Sequence, residues 1–384
     1  MVTVPATRIF FPNLNGLRFL AVLLVIIAHV EGIRGAFHLS NFWHVSTIPL
    51  LGQLGVDLFF VLSGFLITYL LLAEKQQLGN IDFKAFYLRR ALRIWPLYYV
   101  VVILSLFIFP YIELLYFPAL TPGVATNLGM KASLYAVMLP NVAKELYPAV
   151  PYASQAWSIG VEEQFYIIWP VLVYYSRNYY RNFLLIALVV VITTQLSWAL
   201  TTPWRHPLPI NELTTFIKGF LAFFRIQCMA IGGLFAVLLF QQKGPLLKRL
   251  TCRPAQMALL VLLPFFVVCG VQVPYFTHEL YAVLFGLLVL NLALTETSLI
   301  SLRTPMLDYL GRISYGLYMF HSLAIVLAIR VVGAFGYLVG FVNHAGVYLA
   351  TLAISIGLAA VSYHWLENPF LRLKKHFARV QSGS

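Results

Sequence analysis

The sequence predicts an all-α, polytopic integral membrane protein of about ten transmembrane helices with both termini in the cytoplasm. Three observations carry that expectation: a composition too apolar for water, ten apolar runs of bilayer length, and a one-sided distribution of Lys and Arg. The 384 residues are 61% hydrophobic and only 10% charged, with a mean hydropathy of +0.84, whereas a soluble domain carries roughly 25% charged residues. Such a chain takes lipid as its solvent. The three cysteines, Cys228, Cys252 and Cys269, have no metal-ligand spacing, which argues against a disulfide framework and a structural metal. Residues 1–11 lack the basic region, short apolar core and cleavage site of a signal peptide. The first apolar run is therefore expected to be retained as a helix.

A bilayer core takes about 20 apolar residues as helix, and ten runs qualify. The first, 14–33, carries Arg18 and His29, and the second, 48–73, carries Asp57. The third, 92–116, follows the basic stretch Phe86-Tyr87-Leu88-Arg89-Arg90-Ala91-Leu92-Arg93, and the fourth, 150–175, holds the adjacent pair Glu162 and Glu163. Between them, 117–149 is the longest connection, rich in Pro, Asn and Lys, with a short re-entrant or interfacial piece expected around Leu134 to Met138. Runs at 182–201 and 216–240 follow, then 256–273 and 276–296 as a tight hairpin about Pro274. The ninth, 311–333, carries His321, and the tenth, 343–366, closes on His364-Trp365-Leu366-Glu367-Asn368-Pro369. Neither an internal repeat nor a low-complexity tract is present.

Cytoplasmic loops collect Lys and Arg. With the N-terminus inside, one face gathers Lys75, Lys84, Arg89, Arg90, Arg93, Arg177, Arg181, Lys243, Lys248, Arg249, Arg253, Arg303 and Arg312, then Arg372, Lys374, Lys375 and Arg379. The other face holds little beyond Arg34, Lys131, Lys144 and Arg205. The net charge of +13 thus reflects topology and attraction to anionic headgroups, and nothing in it argues for nucleic acid as a partner.

Ionisable residues inside spans are costly and usually mark a site. Arg18 and His29 stand eleven residues apart, which is roughly 20° from three whole turns, so they share one helix face about 16 Å apart. Threading the spans alternately brings Asp57, Glu162 and His321 to a depth similar to that of His29. Two imidazoles and two or three carboxylates then converge in one pocket suited to acid–base chemistry. Glu162 is preferred over Glu163 because Ser158 and Tyr166 lie one turn to either side of it on the same face. Arg90 and Arg93, at i and i+3, present two guanidinium forks, and with Arg18 they make a clamp for phosphates, helped by the dipole at the start of that helix.

Plainer readings stand beside these. Arg18 can snorkel to the headgroups, the run at Arg89 to Arg93 can be a positive-inside anchor, and His321 can be a satisfied interior histidine. Asp57 reads better as an acceptor that organises the bundle than as a catalytic group. His364 reads as an anchor of its helix end with Glu367. Trp95, Tyr98, Tyr99, Trp169 and Trp204 fit interfacial belts, while Trp157 and Tyr166 could stack on a sugar or line the acyl tunnel.

Taken in order, Arg18 with His29, the run Gly55-Val56-Asp57-Leu58-Phe59-Phe60-Val61-Leu62-Ser63-Gly64-Phe65-Leu66, the pair Arg90 and Arg93, Trp157-Ser158 with Val161-Glu162-Glu163-Gln164-Phe165-Tyr166, Ser314-Tyr315 with Tyr318 and His321, and the closing 364–369 block resemble the acyltransferase 3 family of membrane O-acyltransferases. The resemblance spans 13–370, and six motifs in the right order make it specific. It implies one transmembrane domain over 13–370 with short cytoplasmic tails at 1–12 and 371–384, in the inner or plasma membrane. It also implies an enzyme that moves an acyl group, commonly acetyl from acetyl-CoA, to a sugar hydroxyl of a cell-surface or exported glycan; an O-antigen (lipopolysaccharide) unit, an exopolysaccharide, a lipid-linked sugar, peptidoglycan and a small secreted metabolite all stand as acceptors. Carried over, His29 is the family's essential histidine, Arg18 its partner, and Arg90 and Arg93 the basic pair, while Glu162 and His321 match two further positions. The expected mechanism is direct transfer: phosphates on Arg18, Arg90 and Arg93, His29 as general base, and Glu162 orienting the imidazole; a two-step route through an acylated side chain is the alternative, although no Cys or Ser stands out as its nucleophile. The competing class is a proton-coupled transporter or flippase, against which stands the absence of an inverted repeat. A non-catalytic sensor would leave the aligned Arg18 and His29 unexplained.

Overall fold

The computed structural model describes residues 9–201, 212–242, 244–335 and 340–377. Each of the ten apolar runs is helical, because hydrocarbon offers backbone N–H and C=O groups no partner except one another. The long elements are α1 (Asn13–Ala36), α2 (Thr47–Leu78) and α3 (Phe83–Phe107). Two short helices, α4 (Leu128–Ala136) and α5 (Pro140–Leu146), cross the long connection and precede α6 (Trp157–Tyr175) and α7 (Tyr179–Thr201). The sixth run is broken at Phe224 and Arg225 into α8 (Glu212–Phe223) and α9 (Ile226–Phe240). Then come α10 (Gly244–Leu250), α11 (Arg253–Val268), α12 (Thr277–Ala293), α13 (Pro305–Arg312), α14 (Ser314–Ala334) and α15 (Gly340–Ser362). A π-helical turn, Tyr363–Glu367, leads into α16 (Asn368–Lys374).

Among the described residues, seven of these helices are long and apolar enough to cross a membrane, or eight if α10 and α11, bent by 47°, form one span. The expected count of ten is therefore not reached by length and apolarity alone. The two that fall short are α6, which carries Glu162, Glu163 and Gln164, and α12, which has 17 residues. Boundaries moved for local reasons. Helix α3 begins well before residue 92 because the Asp82 side chain caps it by accepting from the Ala85 N–H at 3.0 Å. It gives way at Phe107 to short 3₁₀ turns, the first containing Pro110. Arg90 and Arg93 thus stand about two to three turns inside the helix, so the dipole at its start, expected to aid anion binding, lies away from them. Thr304 caps α13 through the Leu307 N–H, with Pro305 in the first turn.

Helix α2 is the central post, packed against α1, α9, α12 and α6. Glycines make that possible. A Cβ on Gly64 would collide with the Met229 carbonyl of α9, and one on Gly232 of α9 would collide with the Val61 carbonyl of α2. Small residues at such crossings let backbones approach closely where lipid supplies no hydrophobic drive. Helix α14 packs on α15 and on α1. The expected boundary at 370 is passed by α16, which packs on α3 and is tied there where Arg89 donates to the Phe377 carbonyl at 2.8 Å while ion-paired to Glu74 at 2.9 Å.

Candidate functional site

At the end of the bundle where α1 begins, a cavity of about 190 Å³ opens between α1, α2, α3, α6, α14 and α16. Arg18, Arg90 and Arg93 all line it, brought together from two helices. Arg18 sits on the first turns of α1, where Asn15 accepts from it at 2.7 Å and in turn donates to Asp308 of α13 at 2.8 Å. Arg90 lies over the rings of Phe86 and Tyr166 at 5.8 and 5.9 Å, with its Nε buried and without a hydrogen-bond partner. The third arginine of the run, Arg89, faces away to Glu74. Lys374, from the expected C-terminal tail, and Glu367, the expected anchor of the helix end with His364, line the same cavity. Glu367 instead accepts from Ser362 at 3.1 Å, and His364 packs beside Tyr309 and Tyr363.

Deeper in, Glu162 points into the cavity and Glu163 does not, as their 100° separation on α6 requires. The Glu162 carboxylate accepts from Ser63 at 2.6 Å and from Tyr166 at 3.2 Å. Ser158, one turn earlier, shares a 2.7 Å hydrogen bond with Tyr318 of α14, and these two close the inner end of the cavity. Beyond Tyr318 stands the imidazole pair. The rings of His29 and His321 meet edge to face at 4.7 Å, and His321 packs on Tyr318 at 5.7 Å.

Hydrogen bonding distinguishes the two histidines. His29 Nδ1 lies 2.9 Å from the Val25 carbonyl, an acceptor only, so that nitrogen carries the proton and Nε2 keeps its lone pair. No hydrogen bond engages His29 Nε2 among the described residues. His321 Nδ1 is likewise committed, to the Tyr318 carbonyl at 2.6 Å, but its Nε2 also meets Ser322 at 3.3 Å. His29 is thus the imidazole with a free basic nitrogen. The group that orients it is a backbone carbonyl of its own helix, whereas Glu162 is engaged with Ser63 and Tyr166.

Asp57 lies outside this constellation. Fully buried, it pairs with Arg225 at 3.0 Å and His278 at 2.7 Å, joining α2 to the starts of α9 and α12. Its two partners come from separate elements, which is the geometry of an acceptor that ties helices together. Arg225 is a cation within the apolar run 216–240, and that charge is the signal the sequence holds for it. Near it, the Lys144 ammonium rests 3.7 Å from the Phe223 ring and 5.1 Å from Trp157. Burial pushes that ammonium down to about 8, partly opposed by Glu145 and reinforced by Arg225. Trp157 is flanked by two cations, since the Arg225 guanidinium also lies 5.7 Å from its ring. Trp204, Arg205, Lys243 and Arg379 lie outside the described residues.

Comparison with known proteins meets this geometry from the other side. Residues 11–364 match the family model for the acyltransferase domain of the acyltransferase 3 type. Several Staphylococcus aureus proteins named "Putative O-acetyltransferase" are 25% identical over 94% of this chain and 57% of their own length. The "Putative peptidoglycan O-acetyltransferase YrhL" of Bacillus subtilis is 26% identical over 94% of this chain and 55% of its length. The "Peptidoglycan O-acetyltransferase OatA" of Listeria monocytogenes is 31% identical over 48% of this chain and 28% of its length. The chain spans little more than half the length of the curated relatives it matches most fully. No solved structure matches it significantly. With a family match running from the first helix through the last long one and taking in His29, the arginines and Glu162, the chain belongs to the acyltransferase 3 family.

Proposed function

We propose that this protein is a membrane-bound O-acyltransferase that moves an acyl group, acetyl by preference, from cytoplasmic acyl-CoA to a sugar hydroxyl of a cell-envelope glycan. The observation that supports this reading is the cation-lined cavity, which runs from Arg18, Arg90 and Arg93 to Ser158 and Tyr318, with the Tyr318 ring packed on His321 and His321 in turn on His29. Arginine forks suit phosphate; an imidazole with one nitrogen protonated by its own helix and the other free suits proton abstraction. The axial separation of Arg18 and His29, about 16 Å, leaves room for an extended thioester arm between them.

The donor's phosphates rest on the arginines and its thioester reaches the imidazole pair. The acceptor hydroxyl comes from the opposite end of the bundle. His29 Nε2 takes the hydroxyl proton as the oxygen attacks the thioester carbonyl. The tetrahedral intermediate then collapses, the C–S bond breaks, and the leaving thiolate recovers the proton from His29. The Val25 carbonyl holds the imidazole in the reactive tautomer. Glu162, positioned by Ser63 and Tyr166, offsets the arginine charge and shapes the donor channel; this role replaces the one the sequence suggested for it. Asp57 contributes stability, and His321 with Ser158 and Tyr318 forms the wall at the thioester end.

The relatives whose names specify an acceptor specify peptidoglycan, so peptidoglycan sugars are the acceptors to try first, ahead of lipopolysaccharide and exopolysaccharide units. The excess of Lys and Arg at the donor end supports a multi-pass cell-membrane protein with that end, both termini included, in the cytoplasm. The test is labelled acetyl-CoA supplied to vesicles with the cytoplasmic face outward, followed by recovery of the label in ester linkage to glycan. Label that enters only as free acetate, or uptake driven by a proton gradient with no ester formed, would move the protein to the carrier class.

A further inference from the structure

The cavity contains more positive charge than the three arginines account for. Lys374, on α16, lines it together with Arg18, Arg90 and Arg93. None of these four cations forms an ion pair among the described residues, whereas the other cation on the lining, Arg312, is paired with Asp308 at 3.0 Å. The carboxylates on the lining are Glu162 and Glu367, and both are already engaged by hydroxyl donors. Four like charges around one cavity with two carboxylates repel one another, more strongly as water is displaced. The arrangement is costly unless a polyanion completes it. Helix α16 is not a loose tail that happens to lie nearby, because it packs on α3 and the 3₁₀ turn that follows it is held by Arg89, which donates to the Phe377 carbonyl and pairs with Glu74.

We propose that Lys374 is a phosphate ligand of the donor and that α16 is a wall of the donor site. This rests on the proposed acyl-CoA reading and extends it to a segment beyond the family match, which ends at residue 364. Coenzyme A, with a diphosphate and a ribose 3′-phosphate, brings roughly four negative charges, which suits a cavity whose basic side chains outnumber its carboxylates. A pantetheine arm alone brings none. Lys374 therefore tells the nucleotide-bearing donor from its uncharged fragment.

A ligand lysine and a structural lysine behave oppositely when neutralised. In detergent-purified full-length protein, CoA and pantetheine affinity and the thermal midpoint without ligand are measured for wild type, Lys374→Gln and Lys374→Arg. Expected are CoA binding by wild type, a loss of roughly tenfold or more in Lys374→Gln, as for a hydrogen bond between charged groups, and near-restoration in Lys374→Arg. Pantetheine affinity should not change, and the ligand-free midpoint of Lys374→Gln should be equal or higher, because a repelled cation has been removed. Unchanged CoA affinity in Lys374→Gln would overturn the proposal and leave the donor reading standing. A lower ligand-free midpoint with weak CoA binding that Lys374→Arg does not restore would make Lys374 a structural post and overturn it as well. Failure of wild type to bind CoA would remove the donor reading and this proposal with it.

Discussion

His29 has one ring nitrogen fixed by the Val25 carbonyl and the other free, and this is a property of the residue and the turn of helix before it. His29→Ala should lower transfer by about 10² to 10⁴ while CoA still binds, which equilibrium binding and turnover on the same preparation would check. Glu162 and Glu163 offer a sharper contrast. Glu162→Gln removes the charge facing the arginines and should cut activity by at least an order of magnitude, whereas Glu163→Gln, outside the cavity, should stay within a few-fold; kcat and KM for both variants decide it. The sequence made the choice between these neighbours legible, because 100° per residue and the flanking Ser158 and Tyr166 put Glu162 on one face. It did not reveal what Glu162 holds. Ser63 comes from another helix, and the Val25 carbonyl that replaces Glu162 at the imidazole is backbone, which has no signature in side-chain identity.

At the level of elements, Asp57 bonds three helices. Removing its charge leaves Arg225 buried and unpaired, so Asp57→Asn should destabilise the fold by about 3–5 kcal/mol, seen as a lower thermal midpoint in detergent without a selective change in KM. Gly64→Val should act at the same crossing by steric overlap with α9, at a cost of about 1–3 kcal/mol or more. Helix existence was readable from apolar runs, and helix ends were not. The apolar signal for α3 starts at residue 92, but the helix starts at Phe83 because a capping aspartate and a solvated basic turn obey different rules from a lipid-facing stretch. Likewise, α16 has the composition of a tail, and only its docking on α3, through Arg89, makes it part of the site.

For the whole molecule, alternation of basic and non-basic loops implies an orientation, and α11 offers a way to read it. Cys252 and Cys269 flank this helix and are both exposed, while Cys228 is buried. A membrane-impermeant thiol reagent added to intact cells should label Cys269 and leave Cys252 unmodified until the membrane is opened. The reverse pattern would invert the topology and place the arginine cavity outside, against the proposed cytoplasmic donor. The all-α membrane class was evident from composition, and the order of motifs along the chain identified the family. The convergence of α1, α2, α6 and α14 on one cavity followed only in outline, since depth in the bilayer can be counted from sequence but lateral neighbours cannot. The most direct test of the central claim is acceptor-dependent release of CoA thiol from acetyl-CoA by purified protein, wild type against folded His29→Ala, with peptidoglycan fragments as acceptor. Release by wild type that disappears in His29→Ala is the expected result; release that is the same in both would contradict the assignment of His29 as the base.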